Sequence, residues 1–168
     1  LIEKIKGIKL YEDNRKRIKS TIPDYHDKSN ELDYGLVSLH DRRIISNGIG
    51  KYILPNNLKA SSCLTPNGKG KTCLENGAIN PNGRFFKIEK NNKTVAYSWI
   101  WRAGDVLCFD NIELTEEIEK IPDIEKTIYE IYMKAAKEIV EKTKKEKNGG
   151  IKLVLIGRNP IDVKNSYI

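Results

Sequence analysis

The stretch from residue 84 to residue 114 constrains the fold more than any other part of the chain. Three segments rich in β-branched and aromatic residues follow one another there, at 84–90, 94–102 and 106–114. Two short polar turns, 91–93 and 103–105, separate them. Turns this short join antiparallel neighbours, so the stretch predicts a three-strand meander. Apolar residues on both faces of the first segment favour a sheet that is covered on both sides.

The residues after this meander predict a long helix and then a buried strand. Apolar residues recur at helical spacing from Ile124 to Val140, as on the buried face of an amphipathic helix. Asp123 is expected to cap the first amides, and the Asn-Gly-Gly run 148–150 to end the helix. Residues 151–156 are almost continuously apolar, which is typical of a buried strand and predicts the parallel partner of a βαβ unit.

The rest of the chain divides near residue 60. Residues 1–60 are predicted to form a basic, mostly helical N-terminal segment, with any long helix after residue 31 confined to 32–45. Residues 61–83 hold four glycines, two prolines and four asparagines, a composition that predicts a long loop. Residues 61–168 would then be this loop plus an α/β core, with the whole chain in one compact domain.

The order of meander, long amphipathic helix and buried strand resembles the core of the Gcn5-related N-acetyltransferase family. Residues 84–88 and 94–98 look like the family's paired hairpin, and residues 106–114 look like its fourth strand. The resemblance spans about residues 84–157 and implies an α/β fold with a mixed, mostly antiparallel sheet. It further implies an acyl-CoA N-acyltransferase that uses acetyl-CoA or another acyl-CoA. Its acceptor would be a small molecule or a peptide that the residues do not identify.

The loop before the predicted helix departs from the family pattern. The family's loop, Gln/Arg-x-x-Gly-x-Gly/Ala, offers backbone amides and a helix N-terminus to the CoA pyrophosphate. Residues 115–123 read Thr-Glu-Glu-Ile-Glu-Lys-Ile-Pro-Asp, without glycine. From residue 110 to 125 there are seven carboxylates and one lysine, a formal charge of −6 that repels a diphosphate. The alternative to an enzyme is a non-catalytic binding module on the same scaffold, in a longer parent protein since the chain begins without Met. The sequence leaves both open.

Asp110 and Glu113, near the end of the third strand segment, are the candidates for catalysis. The resemblance implies that one of them is the general base that accepts a proton from the attacking amine. Asn111 lies between them and is assigned to substrate binding. Residues three apart on a strand point to opposite faces, so the two carboxylates are not expected to act as a dyad. The alternative is that both are surface carboxylates that shield a strand end.

Tyr97, Trp99 and Trp101 occupy alternate positions in the second strand segment and complete most of the predicted substrate-binding set. Such an aromatic ladder can stack on a ligand ring, although it is also typical of core packing beneath a helix. Arg102 follows on the opposite face and is predicted to hold a phosphate or carboxylate in a bidentate manner.

The net charge of +7, from 30 basic and 23 acidic side chains, bears on partners. The basic residues are interspersed with acids and no nucleic-acid-binding signature appears, so nucleic acid is disfavoured without being excluded.

No apolar run approaches the roughly 20 residues that span a bilayer, and no signal-peptide core is present, which favours a cytoplasmic protein without a membrane partner. Cys63 and Cys73 lack the spacing of a metal site, so no metal is predicted. The oligomeric state is not predicted.

Overall fold

A computed structural model of the chain describes residues 21–29, 31–36, 80–115, 118, 120–157 and 159–161. The described strands form one mixed sheet. They are β1 (His26–Ser29), β2 (Leu32–Leu36), β3 (Gly83–Lys90), β4 (Lys93–Ala103), β5 (Val106–Phe109), β6 (Glu113–Leu114), β7 (Leu153–Ile156) and β8 (Asn159–Ile161). Their order across the sheet is β1-β2-β3-β4-β5-β7-β8, and β6 pairs with β4. The helix α1 (Ile124–Thr143) lies between β6 and β7 in the chain.

The predicted order of elements is confirmed. β3, β4 and β5 pair antiparallel, and β5 pairs in parallel with β7 after the crossover through α1. Asn91 and Asn92 adopt φ values of 52° and 60°. Positive φ at both central residues is the hallmark of the type I′ turn, whose twist matches that of the flanking strands. The fold is therefore an α/β fold with a mixed, mostly antiparallel sheet.

A hairpin at residues 26–36 corrects the expectation for the N-terminal segment. β1 pairs antiparallel with β2, and β2 pairs antiparallel with β3, so the predicted mostly helical structure is wrong for these residues. The physical reason lies in the alternation of β2, where Tyr34 lies opposite Ile88 and Leu36 opposite Phe86. A period of two buries these side chains against apolar partners in β3. Residues 1–20, 30 and 37–60, and loop residues 61–79, lie outside the described residues.

The main core lies between α1 and one face of the sheet. Tyr132 is fully buried there, and its ring centroid lies 4.7 Å from that of Phe86 and 5.5 Å from that of Phe109, both edge to face. Ala96 and Ile100 of β4 belong to the same cluster. Successive strand residues point to opposite faces. The odd-numbered residues 97, 99 and 101 therefore point away from α1.

The start of α1 differs from the prediction. Asp123 has φ 59° and ψ 8°, and its side chain makes no capping hydrogen bond. The predicted N-cap role of Asp123 is therefore wrong. The reason lies in the preceding residues, where Ile121 N donates to Ile118 O at 2.9 Å and Ile124 N donates to Ile121 O at 3.3 Å. Backbone carbonyls thus supply part of what a capping side chain would supply.

The end of α1 is fixed by Thr143 rather than directly by the predicted glycines. The Thr143 hydroxyl donates to Val140 O at 2.8 Å and accepts from Ile151 N at 3.0 Å. Gly150 has φ 72°, and a Cβ at this position would lie 2.4 Å from Thr143 O. Only glycine fits this close approach, which returns the chain toward β7.

Candidate active site at the bulge between β5 and β6

A β-bulge interrupts the strand predicted at 106–114. Phe109 pairs with Ile100 of β4, and the next ladder resumes with Glu113 opposite Tyr97. Between these pairs β4 contributes two residues, 98 and 99, whereas the facing strand contributes three, 110 to 112. Asp110 N still donates to Trp99 O at 2.8 Å. One extra residue in a strand bends it locally and changes the direction of the side chains that follow.

The bulge brings Asp110 and Glu113 to the same face of the sheet. Phe109 points into the core, so Asp110 after it points to the opposite face. Glu113 lies directly opposite Tyr97, which points to that same face. The charge of Asp110 contributes to raising the pKa of Glu113, as expected for neighbouring carboxylates. The expectation that these two residues point to opposite faces is therefore wrong, and the extra residue of the bulge is the reason.

The environment of Glu113 raises its proton affinity. Its side chain is half-buried, and burial raises its pKa above the usual range, with a further contribution from Asp110. Burial also raises the pKa of the neighbouring Cys108 thiol to about 11, again with a contribution from Asp110. Cys108 is thus a thiol and not a thiolate at neutral pH, which removes it as a nucleophile. Glu113 is the group of this site best suited to accept a proton.

Asp110 and Asn111 form the more exposed part of the site. Asn111 N donates to Asp110 Oδ1 at 2.9 Å, which holds this carboxylate close to its own backbone. Asn111 itself is exposed, at the tip of the bulge. The structure therefore brings together Asp110, Asn111 and Glu113, all from one short segment.

The aromatic ladder lies on the same face as the carboxylates. Tyr97 is fully buried, and Trp99 and Trp101 are half-buried. α1 covers the opposite face, so the ladder is not the layer beneath this helix. Trp99 lies opposite Phe85 of β3. Its backbone carbonyl accepts the hydrogen bond from Asp110 N, which places Trp99 immediately beside the bulge.

Arg102 does not belong to this site. Its side chain is buried and contacts both carboxylate oxygens of Glu146, at 2.9 Å and 2.5 Å. The same guanidinium donates to Thr21 O at 2.7 Å and to Gly104 O at 2.9 Å. The hydrogen bonds to Glu146, together with its negative charge, raise the pKa of Arg102. Arg102 is therefore a structural residue, and we do not retain it as a ligand of phosphate or carboxylate.

The parallel strands β5 and β7 stop pairing next to the bulge. Their last pair is Phe109 with Ile156, after which Gly157 N donates to Phe109 O at 2.9 Å. Beyond this point the segment after β5 pairs with β4 as β6. The segment after β7 turns at Gly157 (φ 61°) and continues into β8. The carboxyl ends of parallel strands are the usual place for ligands in α/β proteins. Asp110 follows directly on β5 at this end.

Sequence reasoning did not single out Ser98 and Tyr132, which lie behind the bulge. Both are fully buried, and their hydroxyls lie beside each other outside hydrogen-bond geometry. Burial is the main cause that raises the pKa of Tyr132, and Tyr97 and Glu113 add to it. The available signal was a serine between Ala96 and Ile100 on the core-facing side of the strand, which is uncommon without a polar partner.

The N-terminus of α1 does not fit the diphosphate of CoA, the cofactor that the family resemblance implies. Pro122 has no N–H to donate, and Asp123 carries a carboxylate where a phosphate would approach the helix. Glu125 adds a second exposed carboxylate in the first turn. An anion at a helix N-terminus needs free amides and a favourable field, and this terminus lacks the amide hydrogen at residue 122 and carries two carboxylates.

The described residues contain no group of three or more His, Cys, Asp or Glu side chains that could hold a metal ion. Cys63, Cys73 and His40 lie outside them. In the same part of the chain, no helix is both long and apolar enough to cross a bilayer.

Comparison with known proteins finds similarity at the level of structure. No family model matches the chain, and no curated protein does. A ribosomal-protein-alanine N-acetyltransferase from Brucella melitensis biovar Abortus 2308 is 11% identical, over 75% of this chain and 80% of its own, with a TM-score of 0.44. An aminoglycoside acetyltransferase from an uncultured soil metagenomic sample, in complex with trehalose, is 12% identical over 79% and 81%, with a TM-score of 0.45. A GNAT family acetyltransferase from Elizabethkingia anophelis, with acetyl-CoA bound, is 11% identical over 76% and 65%, with a TM-score of 0.41. All three are acetyltransferases, and the third is a member of the GNAT family, which the order of elements resembles.

Proposed function

We propose that this chain transfers an acyl group to an amine and that Glu113 takes the proton of the amine. The observation that carries the proposal is the β-bulge, which places Glu113 and Asp110 on one face of the sheet. Asp110 directly follows the last residue pair between β5 and β7. The proposed acceptor is a small molecule or a peptide that carries an amino group, not a nucleic acid.

In this proposal both carboxylates attract the amine, and Glu113 removes its proton. An ammonium group is attracted by the negative field of Asp110 and Glu113 but cannot attack a carbonyl until it loses a proton. Glu113 accepts that proton, because its raised pKa brings its proton affinity closer to that of a useful base near neutral pH. The nitrogen then bonds to the acyl carbon, and the leaving group departs with the electron pair of the bond that breaks. Trp99 offers an apolar surface for the carbon skeleton of the acceptor.

The experiment that tests this proposal is an acyl-transfer assay with the purified chain and a panel of amines. The panel contains a polyamine, an amino sugar and a lysine-containing peptide, and product is followed by mass spectrometry. We expect Glu113→Gln to lower kcat by about 100-fold or more, the usual size of a general-base contribution. Glu130→Gln is the matched control, because Glu130 is exposed on α1 and lies outside its first turn. Full activity of Glu113→Gln, or no transfer to any amine, would contradict the proposal.

A second candidate is a non-catalytic module that binds amines on the same surface. The poor fit of the α1 N-terminus to a diphosphate favours it. Calorimetry with the same amines separates the two candidates. Amine binding that depends on Asp110 and Glu113, in a protein that consumes no acyl donor, would support the module.

A further inference from the structure

Three described amides between Ile118 and Ile124 donate to backbone carbonyls of the same segment. Ile118 N donates to Thr115 O at 3.0 Å, Ile121 N to Ile118 O at 2.9 Å, and Ile124 N to Ile121 O at 3.3 Å. A phosphate cradle needs successive amides that point outward at the ligand. Here every third amide from residue 118 to residue 124 is already bonded inside the segment.

Pro122 and Asp123, at the helix start, are also poorly suited to binding a phosphate through their backbone amides. Pro122 has no amide hydrogen, and Asp123 lies in the left-handed region with φ 59°. Glycine is the usual residue in that conformation, and its missing side chain lets a ligand approach the backbone. In this chain the position carries a side chain, and that side chain is a carboxylate. The geometry thus blocks a phosphate and its charge repels one.

The charges around the helix start have the wrong sign for a diphosphate. Asp123 and Glu125 are exposed there, and Asp110 and Glu113 lie at the opening between β5 and β7. The positive charges near the helix start are those of Lys120 and Lys126, and both side chains are exposed and therefore strongly hydrated. The described residues of this path therefore carry four carboxylates and two lysines.

No arginine within the described residues is available to compensate. Arg84 pairs with Asp24 at 2.5 Å, and Arg102 pairs with Glu146. Both guanidinium groups are buried. Two amides at the opening are also occupied, because Gly157 N donates to Phe109 O and Asn111 N donates to Asp110 Oδ1.

We infer that the acyl donor of this protein is recognised without a diphosphate, through its acyl group and an uncharged carrier. The chemical class is an acyl thioester or activated ester whose carrier has no anionic group next to the α1 N-terminus. This inference rests on the proposed acyl transfer. It differs from the family resemblance, which implies an acyl-CoA donor.

The test compares two donors that differ in the nucleotide diphosphate, acetyl-CoA and S-acetylpantetheine. We expect kcat/KM for the two to agree within about threefold, which corresponds to about 0.7 kcal/mol. We also expect that millimolar ADP does not compete with either donor. A preference for acetyl-CoA of about 30-fold or more, or competition by ADP, would overturn the inference and leave the proposed function intact. No turnover with either donor would overturn both.

A binding experiment supplies a readout that does not depend on turnover. The double variant Asp123→Gly, Glu125→Gln introduces a glycine and removes two negative charges at the start of α1. We expect calorimetry to show CoA binding at least about tenfold tighter than to the unaltered chain. Glu130→Gln, an exposed position on the same helix, is the control and should leave CoA binding unchanged. Unchanged CoA affinity in the double variant, with an unchanged melting temperature, would contradict the role assigned to this helix start.

Discussion

Glu113 lies directly opposite Tyr97 in the short ladder between β4 and β6, and so shares a face of the sheet with Asp110. This relationship depends on a single extra residue among 110–112. A regular strand would place the two carboxylates on opposite faces, where neither could influence the other strongly. The bulge therefore creates the paired carboxylates on which the proposed chemistry depends.

The raised pKa of Glu113 predicts a pH-dependent effect on stability. The folded state holds the proton of Glu113 more tightly than the unfolded state does. Glu113 therefore costs stability as the pH rises through its unfolded pKa toward its folded pKa. Glu113→Gln removes this cost, so we expect a higher melting temperature at pH 7 and no gain at pH 3. Thermal melts across this range measure the difference. Equal melting temperatures of the two proteins at pH 7 would show that Glu113 is not destabilised by its surroundings.

The buried hydroxyl of Tyr132 predicts that Tyr132→Phe does not lower the free energy of unfolding. This hydroxyl lacks a hydrogen bond within the described residues, so Tyr132→Phe loses no hydrogen bond and removes a buried polar group. We expect the free energy of unfolding to stay the same or to rise by up to about 1 kcal/mol. Phe86→Ala, at the ring that contacts Tyr132, should instead cost about 3 to 5 kcal/mol. Denaturant titration measures both. A clear loss in Tyr132→Phe would show that the hydroxyl has a partner in solution.

The ion pair between Arg102 and Glu146 predicts a stability effect that does not extend to the carboxylate site. Glu146→Ala leaves a buried guanidinium without its main partner, and we expect a loss of about 2 to 3 kcal/mol. The hydrogen bonds from Arg102 lower the pKa of Glu146. The stabilisation is thus present above the unfolded pKa of this carboxyl and is lost as the pH falls through its folded pKa. Unfolding curves at pH 7 and pH 3 test both statements, and amine binding should be unaffected. An equal effect of the substitution at both pH values would contradict the ion-pair contribution.

Gly150 and Gly149 offer a matched pair of substitutions. Both have positive φ, 72° and 80°, so alanine at either position pays the cost of the left-handed conformation, about 1 to 2 kcal/mol. A Cβ at Gly150 would additionally lie 2.4 Å from Thr143 O, whereas at Gly149 its nearest neighbour would be 3.7 Å away. We therefore expect Gly150→Ala to be more destabilising than Gly149→Ala by at least about 1 kcal/mol in denaturant unfolding. Equal effects would show that the chain near Thr143 moves to accommodate the added methyl group.

The parts of the fold that were predicted correctly carry strong local signals. Period-two alternation and short polar turns determine β3 to β5, and helical periodicity determines α1. The hairpin at residues 26–36 was missed because β1 reads His-Asp-Lys-Ser, a polar strand that is held by its backbone. A strand of this kind has no apolar pattern to recognise.

The candidate site was predicted in its residues but not in its geometry. Asp110, Asn111 and Glu113 were named from their position near a strand end, and the structure brings them together. Their shared face could not be predicted, because a bulge adds a residue without leaving a signal in composition or periodicity. Arg102 was misassigned for a different reason. Its partner Glu146 is 44 positions away and is brought near only by the fold.

β4 is eleven residues long and has different neighbours at its two ends. Arg102, near one end, joins the strand to the residues that follow α1. Tyr97, toward the other, faces the carboxylate segment. Five residues of extended chain separate these positions, a distance of about 16 Å. At that separation the stability and the chemistry of this protein can be varied independently, since a substitution that strengthens the first end leaves the second unchanged. Substitutions that change which acceptor binds at the second end therefore do not first require substitutions that stabilise the fold.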